Sequence, residues 1–382
     1  MKFTNCVTLV GSKPKRYEGT KRYVSTGALA VDHIDEESVE LVGYEDRPSR
    51  ADLTAESGDV LFAKMADTKK TILLDKETAE NIYSTGFFAV RAKQGMITAE
   101  CLYYLLTSDV FLRQKNKHSS GATQRAITNK GLEAIDISIP NLDEQTRLVA
   151  KLDALSRVIK SREQQLVELD NLIKARFVEL FGMPGTDAFG WGLVPLGSIC
   201  VINPKKSQDK RLSEGIEVSF VPMPAVTESG QIEPSTVKKY EEVKSGFTYF
   251  AEEDVLFAKI TPCMENGKGA VAKGLCNGIG FGSTEFHVLR PVDGKTNPYW
   301  IYILTVFPQF REDAAANMTG SAGQRRVPAS FLETYKVALP PIKLQEQFAA
   351  FVEQTDKSKV VVQKALEEAQ LLFDSLMQEY FG

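Results

Sequence analysis

An internal repeat runs through the 382-residue chain and limits the folds that are open to it. The hexapeptide Asp-Val-Leu-Phe-Ala-Lys stands at 59–64 and again at 254–259. The segment Ser-Gly-Ala-Thr-Gln-Arg at 120–125 is matched by Gly-Ser-Ala-Gly-Gln-Arg at 320–325. A six-residue identity rarely arises by chance in a chain of this length. The sequence therefore predicts two copies of one scaffold, each built from shared and divergent parts.

Each copy ends in a long stretch without proline or glycine, 143–181 and 343–381, followed by a glycine. Apolar residues recur in both stretches every 3.5 residues on average, which is typical of the seam of a coiled coil. The residues predicted for this helix–helix seam are Leu148, Leu152, Leu155, Ile159, Leu166, Leu169, Ile173, Leu180, Phe348, Val352, Val362, Leu366, Phe373, Leu376 and Tyr380.

The remaining stretches mix short β-branched and aromatic runs with helical runs such as 99–107 and 297–306. Two copies in one chain usually relate by a pseudo-two-fold axis, so the two long helices are predicted to run antiparallel. The predicted fold class is α+β, with two α/β domains separated by two long antiparallel coiled-coil helices. The predicted boundaries are domains at 1–140 and 183–342 and helical segments at 141–182 and 343–382.

The charge balance excludes a uniformly basic chain, because the formal net charge is -4. The excess acid lies mostly in 343–382, where four Lys and Arg face seven Asp and Glu, so the two domains can still carry basic patches. No apolar run is long enough to span a membrane, and the start at Met1 lacks the apolar stretch of a secretory signal. A cytoplasmic protein with five reduced cysteines is expected.

Catalytic motifs are nearly absent from the sequence. His33, His118 and His287 are far apart, and no His/Cys grouping has zinc spacing, so no metal site is predicted. The triplet Asp293-Gly294-Lys295 has a nuclease-like carboxylate and lysine, but such triplets arise often by chance. We therefore predict a non-catalytic binding protein without a cofactor, and a stand-alone nuclease that uses Asp293 and Lys295 is the less favoured reading.

The sequence feature that does indicate a function is the distribution of charge around the two loops. No acidic residue lies between Asp109 and Glu133 or between Asp313 and Glu333, and each stretch contains one copy of the Gly-Ser-rich loop. In such loops glycine lets backbone N–H groups approach a phosphate, Ser and Thr bind phosphate oxygens, Gln can read adenine, and Arg can read guanine or grip phosphate. A solvated loop repeated only because the scaffold is repeated is the alternative, but two equivalent copies favour nucleic acid.

The predicted DNA-binding residues are the loop residues together with nearby basic clusters. In the first half they are Lys13, Lys15, Arg16, Lys69, Lys70, Lys115, Lys117, Ser119, Ser120, Gly121, Thr123, Gln124 and Arg125. In the second half they are Lys205, Lys206, Thr319, Gly320, Ser321, Gln324, Arg325 and Arg326.

This pattern resembles the specificity subunit of type I restriction-modification enzymes. The resemblance rests on the loops at 120–125 and 320–326, on the segments 139–145 and 339–345, and on heptad helices that close in Phe-Gly. The opening of the second half, Trp-Gly-Leu-Val-Pro-Leu-Gly at 191–197, is similar to the start of the family's target-recognition domains. The first half begins without this opening.

The resemblance implies that each domain is a target-recognition domain that reads one half of a bipartite, asymmetric DNA site. It implies that the helices set the spacing and dock two methyltransferase subunits, which motor-nuclease subunits join. S-adenosylmethionine is expected only in the methyltransferase partner, and the specificity subunit catalyses nothing. The alternative function is a coiled-coil protein-binding adaptor without DNA specificity, whose binding would lack the steep salt dependence of DNA recognition.

Overall fold

The computed structural model describes residues 1–122, 124–233, 236–321 and 323–382. The chain divides into two compact units, and each unit contains one end of each of the two long helices. Unit 1 comprises Met1–Glu163 and Gln363–Gly382, and unit 2 comprises Gln164–Val362. In the described residues, no helix is both long and apolar enough to cross a membrane.

In the first 134 residues, apart from residue 123, unit 1 forms two four-stranded sheets, one two-stranded sheet and four α-helices. In chain order the elements are α1 (Phe3–Cys6), β1 (Val7–Val10), β2 (Thr20–Val24), β3 (Glu40–Gly43), β4 (Ala51–Leu53), β5 (Val60–Ala63), β6 (Thr71–Leu73), β7 (Ile82–Ser84), β8 (Phe87–Ala92), α2 (Ala99–Thr107), α3 (Asp109–Lys117), β9 (Ser119–Ser120), β10 (Ala126–Ile127) and α4 (Asn129–Ala134).

The first long helix, α5 (Leu142–Phe181), begins in unit 1 and ends in unit 2, and the last helix of the chain begins in unit 2 and ends in unit 1. The elements after α5 are β11 (Leu193–Pro195), β12 (Cys200–Ile202), β13 (Glu217–Val221), β14 (Thr236–Lys239), α6 (Tyr240–Val243), β15 (Thr248–Ala251), β16 (Val255–Ala258), β17 (Gly269–Val271), β18 (Ile279–Gly282), β19 (Phe286–Pro291), α7 (Pro298–Val306), α8 (Pro308–Ala316), α9 (Ala329–Thr334), β20 (Lys336–Ala338) and α10 (Ile342–Phe381).

The two units repeat the same pair of sheets. One sheet has the order β1-β8-β5-β6 in unit 1 and β12-β19-β16-β17 in unit 2, and all its strand pairs are antiparallel. The other has the order β3-β2-β7-β4 in unit 1 and β14-β13-β18-β15 in unit 2, with one parallel pair, β2 with β7 and β13 with β18. The shared strand order confirms the duplicated α+β scaffold.

The repeated hexapeptide forms the inner strands β5 and β16, whose residues are all buried. Its aspartate anchors a neighbouring strand in the same way in both units. Asp59 receives the Arg91 Nε at 2.6 Å, and Asp254 receives the Arg290 Nε at 2.7 Å. Both carboxylates are 1% exposed. A buried carboxylate needs such a partner, so this part of the repeat is explained by stability.

The two 40-residue helices confirm the predicted long heptad helices, and the structure pairs them antiparallel. In unit 2, Phe177 and Phe181 near the end of α5 contact Phe348 near the start of α10, with ring centroids 5.5 and 5.3 Å apart. In unit 1, Phe373 near the end of α10 belongs to the same apolar cluster as Leu148 near the start of α5. Each unit therefore has its own apolar joint between the helices and the domain.

All fifteen residues predicted for the seam are buried or half-buried. Complete burial is confined to Leu148, Leu152, Ile173, Phe348 and Val352, which also lie in the apolar core of a unit. Phe177 and Phe181 do not belong to the predicted stripe, yet both are buried. The heptad pattern misses them because they pack against the domain as well as against the other helix.

A buried glutamine fixes the first turn of each long helix to its domain. The Gln145 Oε1 accepts from the Thr98 amide at 2.9 Å, and its Nε2 donates to the Met96 and Pro140 carbonyls, both at 2.9 Å. Gln345 repeats the arrangement with the Asn297 amide at 2.9 Å and the Lys295 and Pro340 carbonyls at 3.0 and 2.8 Å. Both side chains are completely buried.

Replacing Gln345 by Ala is expected to destabilise unit 2 by about 3 kcal/mol or more, because an amide and two carbonyls lose their buried partner. Gln347→Ala, an exposed position on the same helix, serves as the control. The free energy of unfolding in urea measures both changes. Equal effects of the two substitutions would show that the buried amide contributes nothing specific.

Candidate nucleic-acid interface

Each unit carries its Gly-Ser-rich loop on a short two-stranded ladder. In unit 1, Ala126 and Ile127 of β10 pair with Ser120 and Ser119 of β9. In unit 2, Arg326 donates its amide to the Thr319 carbonyl at 2.8 Å and accepts from the Thr319 amide at 3.0 Å. The two loops therefore connect the strands of similar antiparallel ladders.

Glycine is required at the start of both loops. Gly121 and Gly320 have φ values of 133° and 121°. A Cβ atom at these positions would lie 2.4 Å from the Gln124 carbonyl oxygen and 2.9 Å from the Gln324 carbonyl oxygen, which is too close in both cases. The glycine predicted to let backbone approach a phosphate is thus needed by the loop itself. The predicted contact Thr123 lies outside the described residues.

Both loops are fixed to the strand that the repeated hexapeptide builds. In unit 1 the Ala66 amide donates to the Arg125 carbonyl at 2.9 Å, and the Ile127 amide donates to the Lys64 carbonyl at 2.8 Å. In unit 2 the Val327 amide donates to the Lys259 carbonyl at 2.9 Å. In each unit the hexapeptide segment and the loop therefore form one continuous backbone support, which we call the platform.

The Gln-Arg pair that both loops share is exposed. Core packing does not explain why it occurs twice, as Gln124 and Arg125 and again as Gln324 and Arg325. The Arg125 Nη2 donates to the Asn116 carbonyl, whereas the Arg325 Nη2 lies 4.0 Å from the nearest Glu265 oxygen. These guanidinium groups can still form contacts with an external ligand.

Lys115 occupies a different environment from that predicted for a DNA contact. Its side chain is 3% exposed, and its Nζ donates to the Ala63 and Thr68 carbonyls at 3.2 and 2.5 Å. Burial lowers its pKa to about 8. Phe111, one helical turn earlier, is also buried, so the four-residue spacing could have identified this face of α3. Lys115 serves the domain interior, and we leave it out of the proposed contacts.

The other predicted lysines and arginines of unit 1 lie at the surface or bridge surface elements. Lys13 and Arg16 pair with Asp52 and Glu45 at 3.4 and 3.1 Å, and Lys69 pairs with Asp109 at 2.8 Å. The Lys70 Nζ donates to the Thr26 carbonyl at 2.8 Å. Lys15, Lys117 and Ser120 are exposed, and the Ser119 hydroxyl donates to the Lys115 carbonyl.

In unit 2, Lys205, Lys206, Thr319 and Ser321 are exposed, and Lys206 donates to the Lys244 carbonyl.

Sequence reasoning missed an aromatic–cation group on the sheet that contains β13. Phe220 and Phe247 contact edge to face with centroids 4.9 Å apart, and the Lys238 Nζ lies 4.0 Å from the Phe220 centroid. Their separation in sequence hides this group from motif searches.

The nuclease-like triplet Asp293-Gly294-Lys295 forms an exposed turn before α7. The Lys295 backbone carbonyl accepts from Gln345, which gives this turn a structural role. Among the residues that the structure describes, no group of three or more His, Cys, Asp or Glu residues could hold a metal ion.

Two similar units, each presenting an exposed Gln-Arg pair on an equivalent backbone support and connected through long helices, form a duplicated scaffold. Comparison with protein families shows the class to which this scaffold belongs. The family described as the Type I restriction modification DNA specificity domain matches residues 13–171 and 189–370. The chain belongs to this family.

Individual proteins that resemble this chain in sequence or fold come from the same type of system. Over 155 residues the chain is 43% identical to the Type I restriction enzyme EcoEI specificity subunit of Escherichia coli, an alignment that covers 40% of this chain but only 25% of the relative. The fold is similar to that of the type I restriction-modification S subunit from M. genitalium, with a TM-score of 0.56 and 14% identity over 100% of this chain and 95% of that one. A chain from a type I R-M system studied for its complex assembly gives a TM-score of 0.55 and 21% identity, over 100% of this chain and 96% of that one.

The unit 2 loop is supported by a buried histidine that predicts a dependence on pH. The His287 Nε2 donates to the Val327 carbonyl at 2.8 Å, its Nδ1 accepts from the Asn203 amide group at 3.0 Å, and burial lowers its pKa. A lowered histidine pKa means that the unfolded chain binds the proton more readily, so stability is lost as the pH falls below about 6.5.

The matched variant is His287→Phe, because Phe88 pairs with Phe62 in β5 as His287 pairs with Phe257 in β16. We expect the wild-type chain to lose more unfolding free energy than this variant between pH 7.5 and pH 5.5. Urea unfolding at both pH values measures this difference. The contributions of the titrating groups that both proteins share cancel when the two losses are subtracted. A parallel loss in both proteins would contradict the role of His287.

Proposed function

We propose that the chain is the non-catalytic DNA-recognition subunit of a type I restriction-modification complex. The observation that carries this proposal is the exposed Gln-Arg pair, present on the same platform in both units although packing does not require it. Arginine and glutamine side chains supply the contacts that DNA phosphates and base edges accept.

The two units read two different half-sites. Their shared loop residues suit features common to any duplex, such as phosphates, while the residues beside them differ in charge and size. Unit 1 has Ala126 where unit 2 has Arg326, at equivalent positions of the two ladders. Unlike readers in a duplicated frame favour a bipartite, asymmetric site over a palindrome.

The long helices set the distance between the readers and dock two methyltransferase subunits. A 40-residue helix is about 60 Å long, which exceeds the 34–36 Å of one turn of B-DNA. Both helices also keep large apolar residues exposed outside the seam, which suits a protein partner. These residues are Val158, Val167, Leu172, Val360, Val361, Leu371 and Leu372.

The partners complete the chemistry. The methyltransferase subunits bring S-adenosylmethionine and methylate adenine, and motor-nuclease subunits join through them. The complex acts on the genome in the cytoplasm. The recognition domains comprise 1–140 and 183–342, with the helical segments 141–182 and 343–382 between and after them.

Arg125→Ala and Arg325→Ala are each expected to weaken DNA binding about tenfold, because a charge-assisted hydrogen bond to DNA is lost. Each substitution should remove protection at one half-site only, and the two should affect opposite halves. Footprinting of the full chain with its methyltransferase partners measures this. Lys76→Ala removes an exposed charge from a turn of unit 1 that belongs neither to the predicted contacts nor to the long helices, and is the control.

Equal loss of protection at both halves in either variant would contradict separate readers. Binding that is unaffected by salt would instead favour a protein-binding adaptor, because phosphate contacts release counterions.

A further inference from the structure

Unit 2 holds one loop arginine in a fixed orientation by a carboxylate. The Arg326 Nε donates to the Glu285 Oε2 at 2.9 Å, and its Nη2 donates to the Glu285 Oε1 at 2.8 Å. The Nη1 donates to the Gln324 carbonyl at 3.0 Å. Such a two-pronged pair restricts the guanidinium to one plane and one direction.

Both partners of this pair have fixed backbones. Arg326 lies in the ladder with Thr319 and also forms a β-bridge with Ile260. The Glu285 carbonyl accepts from the Lys259 amide at 2.9 Å, and its own amide donates to the Ser283 hydroxyl at 3.2 Å. The guanidinium is thus held in position before any ligand binds, which lowers the entropy cost of a directional contact.

The fixed guanidinium keeps donors for a second two-pronged contact. An arginine side chain has five N–H donors. Three of them are used by Glu285 and Gln324, and within the described part of the chain no hydrogen bond engages the other two. The Arg326 side chain is 40% exposed, so these donors can reach a base edge. Guanine presents two acceptors, O6 and N7, to such a donor pair in the major groove.

The charge of the pair argues against a phosphate contact. Glu285 neutralises Arg326, and this pairing holds the pKa of the Glu285 carboxyl below its ordinary value. A neutral pair gains little from the phosphate field, whereas a directional hydrogen bond to a base remains available. Arg325, whose nearest carboxylate oxygen is 4.0 Å away, is the better phosphate contact.

Folding does not require the pair, because unit 1 forms the same support without it. There the equivalent residues are Ala126 and Gly86, and the Lys64 amide donates to the Gly86 carbonyl at 2.9 Å just as Lys259 does to Glu285. The two side chains are 40% and 26% exposed, and an ion pair that solvent can reach adds little to stability. The pair is therefore a local addition to one loop of an otherwise shared platform.

We infer that Arg326, oriented by Glu285, is a specificity-determining residue that reads a guanine in the half-site bound by unit 2. Unit 1 makes no such contact at the equivalent position. This inference rests on the proposed function and adds a base, a residue and its positioning partner to it.

The test selects sequences from a randomised duplex library with the full chain and its methyltransferase partners. Arg326→Ala, Arg326→Lys and Glu285→Gln are compared with wild type, and Arg325→Ala is the matched control. We expect wild type to prefer guanine at one position by about 5- to 150-fold. Arg326→Ala and Arg326→Lys should lose this preference, Glu285→Gln should weaken it, and the other half-site should stay unchanged.

Salt dependence separates a base contact from a phosphate contact. Arg326→Ala should leave the slope of log affinity against log salt nearly unchanged, whereas Arg325→Ala should reduce it by about 0.9. Loss of slope in Arg326→Ala with an intact guanine preference would overturn the inference. A wild-type complex that selects no sequence would overturn the proposed function, whereas a selected motif that Arg326→Ala leaves unchanged would overturn only the role of Arg326.

Discussion

A completely buried amide side chain, supplied by Gln145 in unit 1 and Gln345 in unit 2, fixes the direction in which each long helix leaves its domain. Each glutamine accepts one hydrogen bond from the backbone amide of the residue that caps the N-terminus of α2 or α7, and donates two to loop carbonyls. The Gln-Arg loops and the long helices are separate parts of the fold. Any function that needs a fixed orientation of one relative to the other depends on the hydrogen bonds of these glutamines. Buried polar groups with every partner satisfied specify one geometry.

The repeat separates structural residues from reading residues. The aspartate occurs twice, as Asp59 and Asp254, because each copy binds an arginine of the neighbouring strand, and the glutamine occurs twice because each copy fixes a helix. The exposed Gln-Arg pairs also occur twice, but no packing constraint accounts for them. Where the platform is the same and the side chains differ, as at Ala126 and Arg326, the difference costs little stability and is available for specificity.

Much of this architecture could be predicted from the sequence. The offset repeat and the heptad stripe predicted two copies and two long helices, because both patterns depend on periodicity alone. Lys115 could not be placed by counting cations, since its helical face decides its burial. Glu285 lies 41 positions before Arg326, so their pairing depends on the strand connections of β16 and β19. Phe177 and Phe181 were missed because they pack against two surfaces at once.

The proposed function requires a duplicated frame that holds two unlike readers at a set distance along DNA. The most direct measurement maps methylated adenines in cells that carry the chain with or without one extra heptad in both α5 and α10. Seven residues add about 10.5 Å and keep the seam in phase. We predict that both half-sites keep their bases while the spacer between them lengthens. An unchanged spacer would contradict this proposal. Methylation by the unaltered chain that does not occur at two separated half-sites would also contradict it.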